Sequence, residues 1–315
     1  MMDQRKYAIH LAPLQGYTDR VYRNAFARYF GGVEVFYTPF IRIENGEVRR
    51  RDLRDLQMDR NTVPCLIPQI LPGNADEFQF LVDTILKEGY RAVDVNLGCP
   101  FPMIARKGKG AGMLPFPDRV QALLTPMEAY PEIRFSLKMR LGWENTRECL
   151  ELIDLINALP LRQVTLHART GVQQYKGFPD EEAFQAFYEL CKPPLFYNGD
   201  ISTLPDIQRI VGRFPALGGI MIGRGLLASP LLTKEFVENE TFSLEKRMSL
   251  YRDFHRELFA AYSEILQGDC QLLAKMKALW EYFLPDTDRK CLKKIRKATK
   301  VTSYMETVKQ IFYAT

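Results

Sequence analysis

The chain has few of the residues that build disulfide or zinc frameworks. Its 315 residues include six cysteines and three histidines, and the cysteines are scattered without a C-x-x-C pair. This spacing in a chain of this length predicts reduced thiols, with no disulfide scaffold and no metal site. Reduced thiols are typical of intracellular proteins, so we expect a cytoplasmic location.

Long apolar runs are also missing. No stretch approaches the roughly 18 consecutive apolar residues of a membrane-spanning helix, so we expect no membrane association. The first six residues, M-M-D-Q-R-K, are charged and precede only a short apolar segment, which is unlike a secretory signal. With 46% hydrophobic and 26% charged residues, the composition is typical of a globular protein with one large domain, or a large and a small one.

Acidic residues are absent from one segment near the C-terminus. Residues 289–300 contain seven Lys or Arg and no Asp or Glu. Residues 244–315 hold 14 basic and 9 acidic residues, which accounts for the whole net charge of +5, because the first 243 residues carry 29 of each sign. This asymmetry favours a nucleic-acid partner for the last quarter of the chain, and the alternative is a solvated helix face.

Eight short apolar runs recur along the first 225 residues, with amphipathic segments between them. The predicted strands are 8–11, 33–37, 65–70, 92–95, 134–139, 163–167, 195–197 and 219–222. Their near-continuous apolar content is typical of strands buried on both faces of a parallel sheet. The predicted helices between them are 76–88, 117–127, a helix capped by Asn145 or Thr146 and ending at Ala158, 181–190 and 203–211.

This alternation over about 240 residues predicts an α/β fold of the TIM (β/α)8 barrel type. The alternative is an open doubly wound sheet, which usually has a glycine-rich turn after its first strand, where this chain has A-P-L-Q-G at 12–16. Further on, the segments 244–266, 272–283 and 288–312 are helical in pattern, with no strand signal between them. We therefore predict a barrel domain over residues 1–243 and a small all-helical C-terminal domain over residues 244–315.

Polar residues follow six successive predicted strands. Active sites of such barrels lie at the C-terminal ends of the strands, so this convergence favours a site over six separate caps. The residues are Gln69; Asn96 and Cys99; Lys138 and Arg140; His167 and Arg169; Asn198, Gly199 and Asp200; and Gly223 and Arg224. The last two groups, with a predicted helix at 230–237, are typical of a phosphate site, although the glycines could serve only as turns.

Three of these side chains indicate chemistry. A buried Lys138 is costly unless it meets an anion or an electron-rich ring. His167 could be a core residue, but its nearness to Lys138 favours ligand contact. Cys99 could be an inert core thiol, yet it lies between Gly98 and Pro100 and has no base beside it in sequence, so we interpret it as a proton donor and not as a nucleophile.

Several motifs in this order resemble the tRNA-dihydrouridine synthases, over about residues 8–225. They are A-P-L-Q-G at 12–16, N-L-G-C-P at 96–100, G-K-G-A-G at 108–112, S-L-K-M-R-L-G at 136–142, L-H-A-R-T at 166–170, N-G-D-I at 198–201 and M-I-G-R-G at 221–225. The resemblance implies an FMN enzyme that reduces uridine in tRNA to dihydrouridine with NADPH. We infer no obligate protein partner.

The resemblance also implies roles for single residues. The flavin contacts would be Pro13, Leu14, Gln15, Gln69, Lys138 and His167, and the flavin phosphate would be held by Asn198, Gly199, Asp200, Gly223 and Arg224. Cys99 would protonate the uracil carbon opposite the one that receives hydride. Asn96 and Arg140 would contact the substrate, and Arg169 would lie near the tRNA backbone. The basic tail, through Lys293, Lys294, Arg296 and Lys297, would add contacts to tRNA phosphates.

Two positions depart from the family pattern. A basic residue is usual three positions after the cysteine, where this chain has Pro102, and Arg106 or Lys107 are candidates to replace it. Leu14 stands where methionine is common, which conserves volume. Two other functions stay open: a flavin enzyme acting on a free pyrimidine, similar to dihydroorotate dehydrogenase, and a non-catalytic RNA-binding flavoprotein. The basic tail and the H-A-R-T motif oppose the first, and the complete set of strand-end residues opposes the second.

Overall fold

The computed structural model describes residues 7–313, so the charged segment 1–6 lies outside the described residues. Nine of the strands are predicted ones or parts of them, and most run longer or shorter than predicted by one to three residues. The strands are β1 (Ala8–Leu11), β2 (Val35–Tyr37), β3 (Ile43–Glu44), β4 (Glu47–Val48), β5 (Leu66–Ile67), β6 (Gln69–Ile70), β7 (Ala92–Leu97), β8 (Arg134–Gly142), β9 (Gln163–Thr170), β10 (Leu195–Asn198) and β11 (Gly219–Ile222).

Nine of these strands form one parallel sheet in the order β5-β2-β1-β11-β10-β9-β8-β7-β6. Its two ends, β5 and β6, are separated only by Pro68, which has no amide hydrogen to donate. Phe36 pairs with Leu66 on one side and Gln69 pairs with Asp94 on the other, so residues 66–70 close the ring. The predicted (β/α)8 barrel is confirmed, with the third strand divided in two at Pro68.

Helices cover the outside of the barrel. They are α1 (Arg20–Tyr29), α2 (Arg50–Leu56), α3 (Ala75–Lys87), α4 (Pro102–Ala105), α5 (Pro117–Leu124), α6 (Glu148–Glu151), α7 (Ile153–Ala158), α8 (Glu181–Leu190), α9 (Leu204–Arg213), α10 (Arg224–Ala228) and α11 (Leu232–Glu238). Helix α9 begins with a capping box in which Thr203 and Asp206 satisfy each other's backbone amides.

The single helix predicted to end at Ala158 is wrong, because α6 and α7 are two short helices joined at Leu152. Neither Asn145 nor Thr146 caps them. The Glu148 carboxylate instead accepts from the amides of the three residues 143–145, and the turn it stabilises displaces the helix start to Glu148 itself.

A hairpin and a helix are inserted between β2 and β5. Strands β3 and β4 pair through a two-residue turn at Asn45 and Gly46, whose φ angles of +52° and +82° suit an asparagine–glycine turn. Helix α2 follows directly. We call residues 41–56 the arginine insertion, because it contains Arg42 and the run of arginines at 49–51. Sequence reasoning predicted neither of its elements.

The C-terminal region contains four helices and no strand within residues 244–313: α12 (Leu244–Ile265), α13 (Gly268–Leu279), α14 (Arg289–Lys297) and α15 (Val301–Tyr313). The helix predicted over 288–312 is broken at residues 298–300, and the one predicted over 272–283 begins and ends four residues earlier. Phe254 of α12 packs against Tyr22 of α1 and against Phe30 at the end of that helix, with ring centroids 5.5 and 4.9 Å apart. No helix within residues 7–313 is both long and apolar enough to cross a membrane.

Candidate active site

A cavity of about 510 Å³ opens at the C-terminal ends of the barrel strands. Its wall includes most of the residues predicted from the strand ends, and the three first-loop residues that the family resemblance implies. These are Pro13, Leu14, Gln15, Asn96, Cys99, Lys138, Arg140, His167, Asn198, Gly199, Gly223 and Arg224. The barrel topology is what brings them together, because they come from six different segments of the sequence.

The Asn96 side chain holds the cysteine turn in place. Its Oδ1 accepts hydrogen bonds from the amides of Gly98 and Cys99, at 2.9 and 2.8 Å. Its Nδ2 donates to Gln69 Oε1 at 2.8 Å. Asn96 therefore supports the turn and also forms part of the cavity wall. One of the two Nδ2 hydrogens is not used in these bonds.

The glycine-rich motif at 108–112 supports the turn from its other side. Gly110 has φ of +57°, and the amide of Ala111 donates to the Cys99 carbonyl at 3.1 Å. A Cβ on Gly110 would lie 2.8 Å from that carbonyl oxygen. Only glycine combines this backbone conformation with so close an approach.

The Cys99 thiol is set to remain protonated. Burial raises its pKa, and the Phe101 amide and the charges of Arg140 and Lys138 offset only part of this effect. A thiol whose pKa lies above its ordinary value is in the acid form at neutral pH. This state suits a proton donor and is unlike the thiolate of a nucleophilic cysteine.

Gln69 lies beneath the cavity and does not line it. It is only 1% exposed, and its Nε2 donates to Asp94 Oδ2 at 2.7 Å while its Oε1 accepts from Asn96. Asp94 is fully buried, also accepts from Ser136 Oγ at 2.6 Å, and has its pKa raised to about 6 by burial. The chain Ser136–Asp94–Gln69–Asn96 thus ties the cysteine turn to the barrel interior.

Two cations from β8 are oriented by partners on other strands and on the cysteine turn. Lys138 Nζ donates to Asn198 Oδ1 at 3.0 Å, and burial and the nearby Arg140 lower its pKa to about 8. Arg140 is 2% exposed and donates from Nε to the Gly98 carbonyl at 3.0 Å, and from Nη1 to the Thr170 carbonyl at 2.9 Å. Arg140 therefore connects the cysteine turn to the end of β9.

His167 is neutral in this setting. Burial lowers its pKa well below the ordinary value, and the charges of Arg140 and Lys138 lower it further. Arg169 Nη1 lies 3.4 Å from His167 Nε2, so Nε2 is the acceptor and the ring proton is on Nδ1.

Arg169 is placed differently from the expected position near the tRNA backbone. It has no exposed surface, and both its terminal nitrogens bind the carboxylate of Asp200. Asp200 also accepts from Arg224 at 2.8 Å, and although burial acts to raise the pKa of this carboxyl, its bonds to the two arginines lower it overall. A carboxylate cannot donate to a phosphate, so Asp200 orients Arg224, which stacks 4.2 Å from the centroid of Tyr175.

Every charged side chain that lines the cavity within residues 7–313 is basic. Besides Lys138, Arg140 and Arg224, the wall contains Arg42, Arg49 and Arg51 of the arginine insertion, which sequence reasoning missed. The asparagine–glycine turn followed by three consecutive arginines was the available signal. Arg106 and Lys107 are exposed and do not line the cavity, so neither takes the place expected for a cation near Pro102.

The helical region also reaches the cavity, through Tyr282. Its ring lies edge-on to Tyr17 of the first barrel loop, with centroids 5.3 Å apart. Lys275 Nζ donates to the Gly16 carbonyl at 2.6 Å, and Tyr262 donates to Asp19 at 2.7 Å. The predicted basic tail lies elsewhere: the four residues Lys293, Lys294, Arg296 and Lys297 are exposed on α14 and do not line the cavity.

Comparison with known proteins gives one family and one fold. The family model described as "Dihydrouridine synthase (Dus)" matches residues 10–311. The tRNA-dihydrouridine synthase B of Pasteurella multocida (strain Pm70) is 26% identical over 250 residues, covering 78% of this chain and 74% of that protein. The tRNA-dihydrouridine synthase B of Pectobacterium carotovorum is 29% identical over 226 residues, covering 71% and 69%.

Solved structures with a similar fold include the old yellow enzyme homologue from Zymomonas mobilis, with a TM-score of 0.52 and 13% identity. That match covers 76% of this chain and 92% of the other. Morphinone reductase matches with a TM-score of 0.50 and 11% identity, over 76% and 88%. At such identities the likeness concerns the barrel fold alone.

Proposed function

Because the chain belongs to the dihydrouridine synthase family, we propose that it reduces specific uridines of tRNA to 5,6-dihydrouridine, with FMN bound in the cavity and NADPH as reductant. The observation that carries this proposal is the position of Cys99, a thiol whose pKa is raised by burial, on the wall of a cavity where every charged side chain within residues 7–313 is basic. A polyanionic substrate and a required proton donor match these two features.

The cavity fits a flavin mononucleotide by its size and its donor set. Its volume of about 510 Å³ is within the range of small-molecule sites. Lys138 and neutral His167 would face the ring, with the first-loop residues 13–15 beside it, and Gly199, Gly223 and Arg224 would hold the phosphate. When bound, the flavin supplies hydride chemistry between NADPH and uracil. Gln69 and Asp200 are expected to contact the flavin directly. They would instead act indirectly, because Gln69 orients Asn96 and Asp200 orients Arg224.

Cys99 would complete the reduction as a general acid. The uracil double bond gains a hydride on one carbon, and the proton from Cys99 Sγ goes to the other carbon as the S–H bond breaks. The thiolate left behind would be stabilised by the charges of Arg140 and Lys138 and would regain its proton from water. Asn96 would donate its remaining amide hydrogen to the uracil, and Arg140 would keep the cysteine turn in register with the substrate.

The two predicted domains would have different roles. We assign flavin binding and chemistry to residues 1–243 and tRNA binding to residues 244–315. A uridine inside a folded tRNA must be swung out of its stack to reach the thiol. The exposed cations of α14 would bind backbone phosphates and hold the RNA while this happens. We expect the reaction to occur in the cytoplasm.

Incubation of the purified protein with unmodified tRNA and NADPH tests this proposal. We expect a yellow protein with flavin absorbance, and tRNA that contains dihydrouridine when its nucleosides are measured by mass spectrometry. Free uracil and orotate, tested in parallel, should be reduced far more slowly. A colourless protein that stays inactive after incubation with FMN would contradict the proposal, and fast reduction of a free pyrimidine would favour the alternative enzyme.

A further inference from the structure

The arginine insertion is built onto the barrel beside the cysteine turn. Ile41 pairs with Ile70 of β6, its amide donates to the Gln69 carbonyl at 2.8 Å, and its carbonyl accepts from the Leu71 amide at 2.9 Å. The backbone before Arg42 is thereby fixed next to the residue that supports Asn96 and Cys99. Arg42 is close enough to Cys99 for its charge to act on the thiol.

The carboxylates of the arginine insertion hold its arginines in place but do not use all the N–H donors of the guanidinium groups. Asp52 binds Arg49 at 2.8 Å and lies 3.6 Å from Arg51, and Glu44 pairs with Arg42. Three guanidinium groups thus share two carboxylates. The Arg51 side chain is 62% exposed, and the buried Nε of Arg42 has no hydrogen-bond partner among the described residues.

The cations at the strand ends are in a different situation. Lys138 donates to Asn198, Arg140 to backbone carbonyls, and Arg224 to Asp200. Lys138 and Arg224 belong to the strand ends where the proposed cofactor would lie, whereas Arg42, Arg49 and Arg51 line the cavity from the arginine insertion, where Arg42 is close enough for its charge to act on Cys99. Planar guanidinium groups with free N–H donors are suited to phosphate.

From these contacts we infer that Arg42 and Arg51, oriented by Glu44 and Asp52, bind the phosphodiester groups on either side of the extruded uridine. This inference rests on the proposed function, since a nucleotide that reaches Cys99 must carry its flanking phosphates to the cavity mouth. The phosphates of NADPH have the same chemistry, so the test must separate the two sources.

Binding of a fluorescently labelled, unmodified tRNA transcript, measured at several salt concentrations, tests the inference. Arg51→Ala should weaken binding by about three- to tenfold and reduce the slope of log affinity against log salt by about 1. Arg50→Ala is the matched control, because Arg50 is exposed on the same turn of α2 and does not line the cavity. It should change affinity less than twofold.

Arg42 is more buried, so its variants need a second readout. Arg42→Ala should lower both tRNA affinity and the rate of dihydrouridine formation, and Arg42→Lys should restore part of the affinity but not the full rate, because lysine lacks the planar fork. Thermal unfolding of both variants shows whether a loss of affinity or rate comes from misfolding. If the Arg42 variants are misfolded, the test depends on Arg51→Ala alone.

Three results would overturn the inference. Equal losses for Arg51→Ala and Arg50→Ala would indicate general surface charge. Unchanged tRNA affinity in Arg42→Ala and Arg51→Ala would remove the phosphate role. Slower flavin reduction by NADPH, with tRNA affinity retained, would assign the arginines to the dinucleotide. Failure of the proposed function looks different, because the wild-type protein would then form no dihydrouridine while the arginine-dependent binding of tRNA could still be measured.

Discussion

The cavity wall and helix α14 are both basic, but they use charge in different ways. The cations at the strand ends are partly or fully buried, and each donates to a defined oxygen on a neighbouring segment. On α14 only Ile295 is buried, and the basic side chains project into solvent. Buried, hydrogen-bonded charges fix geometry to within the tolerance that chemistry needs, whereas exposed charges supply affinity that salt can screen.

Among the supporting and surface residues, the largest effect should come from removing a support within the cavity wall. Asn96→Ala deletes the acceptor of the Gly98 and Cys99 amides, so we expect the rate of dihydrouridine formation to fall by about 100-fold through misplacement of the thiol. Asn157→Ala is the control, since Asn157 also binds two backbone groups but lies away from the cavity. Equal activity of the two variants would show that the turn does not need its support.

An intermediate effect should come from α14. Replacing Lys293, Lys294, Arg296 and Lys297 by Ala should weaken tRNA binding by about tenfold or more and reduce the salt slope by about 3, measured by anisotropy. The loss should appear mainly in KM, because these side chains are remote from the cavity. The control removes Lys87 and Lys192, exposed lysines near the C-terminal ends of α3 and α8, on the opposite face of the barrel. An equal loss of tRNA affinity in the control would indicate that α14 is only a solvated helix face.

The smallest effect concerns the free energy of unfolding, and it should be similar for a buried histidine in the barrel and one in the helical region. His10 in the barrel and His255 in the helical region are buried, and desolvation lowers the pKa of each to about 3. Since the unfolded chain binds these protons near pH 6.5 and the folded chain does not, the free energy of unfolding should fall as pH drops below about 6.5. Each histidine contributes about 1.4 kcal/mol per pH unit.

Denaturant unfolding of His255→Gln between pH 6.5 and 4.5 measures this slope. The variant loses the bond from His255 to the Tyr304 hydroxyl and should be less stable at pH 6.5, but its stability should fall less steeply with acid than that of the wild-type protein. Parallel slopes would indicate that His255 is already protonated in the fold.

Sequence reasoning predicted the barrel and most of its cavity wall because both depend on local patterns. Apolar runs fixed eight strands, and barrel topology then required the residues after them to converge. It missed the arginine insertion, whose two-residue strands carry little periodic signal. It also placed Arg169 toward RNA, because nothing in the sequence reveals that Asp200 lies opposite it and holds the buried guanidinium in place. Long-range pairs of this kind are set by packing and not by neighbours in sequence.

In the proposed reaction, Cys99 donates the proton that completes uracil reduction. In single-turnover experiments with enzyme reduced beforehand by NADPH, Cys99→Ala should form dihydrouridine in tRNA at least about 100-fold more slowly than the wild-type protein. Cys270→Ala, which changes an exposed thiol on α13, should react at the wild-type rate. Dihydrouridine formation by Cys99→Ala at the wild-type rate would show that Cys99 is not the proton donor.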